Sequence, residues 1–125
     1  MRSLPAMTLV AFSAVIEALT GLVLMVQPSL LARLLLGAEL SQAGQAVGRI
    51  AGFALLSLAW ACWPRRGSAN SSDAGPEALL IYNLLTALFL AYLGIGGGLA
   101  GILLWPAVLL HAVLSVLFAR DRFFK

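Results

Sequence analysis

Residues 41–63 read SQAGQAVGRIAGFALLSLAWACW. The stretch is long and apolar enough to span a bilayer, for which about 20 residues suffice. It nevertheless carries Arg49, and it has glycine at Gly44, Gly48 and Gly52. Glycine at every fourth position makes a ridge without side chains, along which another helix can approach closely. The guanidinium beside that ridge is a cation that hydrocarbon does not accept without a partner or a route to water. Both features call for a neighbouring helix, and the rest of the chain is read for one that fits.

The chain of 125 residues is 62% hydrophobic and only 10% charged, with a mean hydropathy of +0.99. So little charge cannot coat a soluble domain of this size, and lipid is the expected solvent. The length leaves room for one small domain. A net charge of +3 falls outside the apolar segments and forms no basic stripe with interleaved aromatics, so no nucleic-acid partner is expected. The single Cys62 excludes an intrachain disulfide and a multi-cysteine metal site, and it reads as a small buried hydrophobe.

Upstream, residues 4–26 form a first apolar span. Its length, its Glu17 and the lack of a small-residue cleavage site distinguish it from a signal peptide, so a retained helix is expected. Gln27-Pro28 ends it. PSLLARLLL (28–36) is too short to cross, and Leu30, Leu31, Leu34 and Leu35 share one helical face, which predicts a helix lying in the membrane interface. A re-entrant turn is the alternative.

Downstream, Pro64-Arg65-Arg66 closes the second span (41–63), and the polar loop GSANSSDAG (67–75) divides the chain into two hairpins. Pro76 and Glu77 open a third span to residue 93. Glycines 94–98 connect it to a fourth, about 100–119, which Pro106 is expected to kink near its start. The fold class is therefore all-α: an integral membrane antiparallel four-helix bundle with a short interfacial helix between spans 1 and 2. Arg2, Arg65, Arg66, Arg120, Arg122 and Lys125 fall on one side of such a bundle, against Arg33 on the other. The positive-inside rule then places both termini in the cytoplasm.

Each span carries one residue foreign to hydrocarbon: Glu17, Arg49, Asn83 and His111. Measured from the helix ends at the α-helical rise, Glu17 lies about 13 Å and Arg49 about 12 Å below the outer surface. Matching heights on adjacent antiparallel helices predict an Arg–Glu pair. Ser13 and Thr20 share the face of Glu17, and Tyr82 and Thr86 flank Asn83, which the same count puts lower than His111. The expected result is a polar seam that lines a ligand-binding or coupling site from Glu17, Arg49, Asn83, His111, Tyr82, Thr20 and Thr86. Three readings of its charges stand: a structural clasp, an Arg49 that snorkels outward with Gln42 and Gln45 and leaves Glu17 protonated, or an ion or proton role. The ridge of Gly44, Gly48 and Gly52 serves packing within the bundle or between two copies.

No P-loop, dinucleotide fingerprint, nucleophile elbow or His-Glu-x-x-His occurs. One histidine supplies both axial ligands of a haem only across a symmetric dimer. No cofactor is named by these residues, and catalytic residues are not assigned.

The run Glu17-Ala18-Leu19-Thr20-Gly21-Leu22 closed by Pro28, then LLLG (34–37) and Gly48-Arg49-Ile50-Ala51-Gly52, resembles the first hairpin of small bacterial DoxX-like four-span proteins. The resemblance covers roughly the first 63 residues; the second hairpin matches only in length and apolarity. It implies a compact antiparallel four-helix bundle in a bacterial inner membrane, with some relatives linked to quinone-coupled sulfur oxidation or to partner membrane enzymes. The paired cysteines used for redox work in such proteins are missing here. The favoured expectation is a non-catalytic accessory subunit or a binder of a lipid-like or quinone-like molecule. A proton-coupled homo-oligomeric transporter or channel, and a subunit of a quinone-linked oxidoreductase, are the alternatives. Expected partners are membrane lipid, a hydrophobic ligand, and a second copy or a larger membrane complex.

Overall fold

A computed structural model describes residues 4–65 and 74–124. The described residues form five helices: α1 (Leu4–Val26), α2 (Pro28–Leu36), α3 (Gln42–Cys62), α4 (Ala74–Ile95) and α5 (Leu104–Phe123). All but α2 are long and apolar enough to cross a membrane. Arg2, Arg66, Lys125 and most of the 67–75 loop, on which part of the orientation argument rests, lie outside the described residues.

The helices pack as two intimate pairs, α1 with α3 and α4 with α5, and the contacts between the pairs are sparser. Both pairs are antiparallel. In the first, Gly21 faces Gly52 and Met25 lies level with Arg49. In the second, Gly94 meets Leu104 and Trp105, Asn83 meets His111, and Glu77 in the first turn of α4 pairs with Arg122 at the end of α5.

The α1–α3 contact is backbone on backbone. A Cβ at Gly52 would lie 2.6 Å from the Gly21 carbonyl oxygen and 2.9 Å from the Met25 nitrogen. One at Gly21 would lie 2.8 Å from the Gly52 carbonyl oxygen. Gly48 receives the ring of Pro28, where an added Cβ would stand 2.9 Å away. The glycine ridge of α3 is therefore spent inside the chain, with Gly21 as its counterpart. Gly44 takes no part in helix packing; its N–H donates to Ser41 Oγ at 3.0 Å, which caps the start of α3.

Helix α2 starts with proline in its first turn and ends at Gly37, whose φ of 65° needs no Cβ. It packs against α1, α3 and α5. Pro28 and Ala32 are its buried side chains, whereas Leu30 is exposed, so the leucine face noted above is not the one turned into the protein. Its last carbonyls accept backbone bonds from the α4–α5 connection: Gly101 N–H to Leu35 O at 2.9 Å and Leu103 N–H to Leu34 O at 2.8 Å. This anchoring delays α5 to Leu104 instead of about residue 100. Pro106 then falls in the first turn, where backbone N–H groups have no intrahelical acceptor, and the first ladder bond is Ala107 N–H to Leu103 O. The reason for the expected kink disappears.

The interior is layered. At the end where α3 gives way to α4, Val10, Cys62, Leu79, Leu114 and Phe118 form an apolar cluster fed by all four long helices. One turn further along lie the buried polar residues, and beyond them Leu104, Ala32 and Pro28 close the α2 end. Large apolar side chains such as Phe12, Leu19, Phe53, Leu88, Phe89 and Val116 are exposed around the outside.

Gly52→Ala drives a methyl group into backbone that cannot rotate away. Overpacking of this kind costs about 1–3 kcal/mol, so thermal denaturation in detergent should show a clear loss of stability. Gly44→Ala, with only local neighbours at 3.3 Å and beyond, should unfold at nearly the parent temperature.

Candidate functional site

Asn83 is the hub of the polar layer. It is fully buried on α4, and its Nδ2 donates to Leu79 O at 2.7 Å and to Ser13 Oγ on α1 at 3.3 Å. A backbone carbonyl only accepts, so the amide nitrogen must be the atom that faces Leu79. Its Oδ1 is then presented to His111 Nδ1 on α5, 2.7 Å away. An amide oxygen also only accepts, so Nδ1 carries a proton and donates, and Nε2 is the acceptor of the neutral ring. Ser115 Oγ, one turn on, donates to the His111 carbonyl at 2.7 Å.

The sequence count placed Asn83 below His111, but the α4–α5 register brings them to one level. Ser115 was not singled out in the sequence; its spacing of four from His111 was the available signal.

Tyr82 stands between this network and Glu17. Its ring meets the imidazole edge-on, with centroids 5.9 Å apart and an interplanar angle of 83°. Its phenol lies within electrostatic range of Glu17, and Thr86 lies beside it one turn along α4. Glu17 itself has no accessible surface; the Tyr82 phenol is its polar neighbour, close enough to interact with the carboxyl although outside strict hydrogen-bond geometry. Burial of a carboxyl beside a single polar neighbour is costly in solvation, which makes this position exceptional among the described residues.

The expected Glu17–Arg49 pair does not form. Arg49 is exposed, and its Nε donates to the Met25 carbonyl at 3.2 Å near the end of α1. The Gly21–Gly52 contact sets Glu17 level with residues 56–57 of α3, so Arg49 is about 11 Å further along the helix. The sequence argument assumed that α1 and α3 end in one plane. In fact α3 overshoots α1 by about two turns, because α2 occupies the space at that end and packs Pro28 onto Gly48. Arg49 is therefore outside the site.

Thr20 is also set apart, its Oγ1 donating back to Ile16 O at 2.8 Å. The site that remains comprises Glu17, Tyr82, Thr86, Asn83, His111, Ser13 and Ser115. Among the described residues no cluster of three or more His, Cys, Asp or Glu side chains could hold a metal ion. What the site offers is hydrogen bonding: two carboxyl oxygens, a phenol and an imidazole, with one flank fixed by the Asn83 network.

Asn83→Ala and His111→Ala should each destabilise the protein, and a double-mutant cycle should reveal coupling of about 0.6–1.7 kcal/mol, the range for interhelical hydrogen bonds in membranes. Arg49→Leu, which loses one exposed hydrogen bond, should cost no more than about 1 kcal/mol. Thermal unfolding in one detergent checks both. No protein-family model, curated protein or solved structure matches the chain.

Proposed function

We propose that this chain is a multi-pass membrane protein that binds a small apolar molecule with a polar head, and that Glu17 and Tyr82 receive that head. The carrying observation is the Glu17 carboxyl, enclosed by four apolar helices with the Tyr82 phenol as its polar neighbour and neither oxygen held in strict hydrogen-bond geometry. A ligand hydroxyl or carbonyl beside it would supply a well-aligned hydrogen bond, and His111 Nε2 is a second acceptor on the far side of Tyr82. Such a polar layer has groups to orient a ligand head without an assembled nucleophile–base pair, which favours a binding protein or accessory subunit over an enzyme. A lipid-like or quinone-like molecule fits this chemistry. The likeness of the first hairpin to DoxX-like proteins accords with the reading, which includes a place in a bacterial inner membrane with both termini cytoplasmic.

Protein purified from native membranes should carry such a molecule, identifiable by mass spectrometry after extraction. Glu17→Leu should lose it while unfolding at an equal or higher temperature, since an unsatisfied acceptor has been removed. Ligand-free parent protein, or an unchanged ligand in the Glu17→Leu variant, overturns the reading.

A second reading, proton-coupled transport by a homo-oligomer, is favoured by the separation of Arg49 from Glu17. A carboxyl without a fixed counter-charge is free to exchange a proton. Under this reading Glu17→Gln should abolish proton flux in proteoliposomes, and flux equal to the parent's excludes it.

A further inference from the structure

A groove of 270 Å³ runs between α1 and α3, lined by Ala14, Ala18, Leu56, Ala59, Trp60 and Trp63. No residue of α4 or α5 borders it, so it belongs to the outside of the first helix pair. Alanines form the floor because the glycine contact draws the two backbones together two turns away. Trp60 and Trp63 stand up as walls, 74% and 46% exposed. Arg65 lies at the end of the groove with its guanidinium 5.3 Å from the centre of the Trp60 ring. No carboxylate among the described residues pairs with it.

We propose that this groove binds one anionic phospholipid, its acyl chain along Ala18 and Leu56 between the exposed Trp60 and Trp63 and its phosphate against Arg65. The groove runs two turns from Leu56 to Trp63, about 10 Å, and its floor is aliphatic, which suits a hydrocarbon chain laid along it. Charge chooses the headgroup. Arg65 is held in place by stacking on Trp60, and tryptophan belongs at the depth where headgroups begin. The site rests on the membrane reading but not on Glu17.

Tryptophan quenching by brominated lipids tests it, in a Trp105→Phe background that leaves Trp60 and Trp63 as the reporters. The protein is reconstituted in detergent micelles that contain increasing fractions of phosphatidylglycerol or phosphatidylcholine with brominated acyl chains. Phosphatidylglycerol should reach half-maximal quenching at about fivefold lower fraction, the preference one basic side chain provides near an anionic headgroup. Arg65→Gln should bring the two lipids together, and Ala18→Leu, which fills the groove, should remove saturable quenching by both. Glu17→Leu should retain the preference, so this site and the interior one fail separately. Equal quenching by the two lipids, a preference that survives Arg65→Gln, saturable quenching that survives Ala18→Leu, or indoles shielded from both lipids by a second copy each overturns the proposal.

Discussion

The contact between the backbones of Gly21 and Gly52 is the constraint from which the remaining geometry follows. Between apolar helices in an apolar solvent there is no hydrophobic drive to associate, so close approach and hydrogen bonding must supply the attraction. Two facing glycines permit an approach that any side chain would prevent. Once they meet, the register of α1 against α3 is fixed along its length. That register sends Arg49 to the α2 end, leaves Glu17 without a charged partner on α3, and opens the alanine-floored slot below.

The second pair is held differently. Its registration comes from a buried side-chain network, in which the Asn83 amide spans from its own helix to Ser13 on α1 and His111 on α5. Those bonds also tie the two pairs together where helix-to-helix contacts are otherwise few. The interior thus contrasts a saturated polar group with an unsaturated one a turn away. Asn83 has its donors and acceptor engaged, while Glu17 on the neighbouring helix has only the Tyr82 phenol beside it, outside strict hydrogen-bond geometry.

Much of this architecture is legible in the sequence because helix length and breakers are local properties. Gln27-Pro28, Ser41 and Gly37 mark their boundaries through the dihedrals and caps they favour. The residues of the polar layer are visible too, since Ser13, Asn83 and His111 stand out against apolar surroundings. Height is what the sequence does not carry. Counting from helix ends works only if the ends share a plane, and α2 breaks that assumption by lifting the start of α3. The same hidden variable misplaced Asn83 relative to His111. Gly21 shows the complementary difficulty: as a lone glycine in a long apolar run, it reveals its importance only when Gly52 is set against it. Pro106 reads as a kink until the hydrogen bonds of Gly101 and Leu103 show where the last helix begins.

Those hydrogen bonds reach beyond the start of one helix. The carbonyls of Leu34 and Leu35 belong to the segment that links α1 to α3, while the N–H groups they accept belong to the turn that links α4 to α5. The two halves of the protein are consequently stitched main chain to main chain at one pole and touch largely through side chains elsewhere. Sliding or parting of the halves at that pole would therefore break main-chain hydrogen bonds, whereas elsewhere it would cost mainly side-chain contacts.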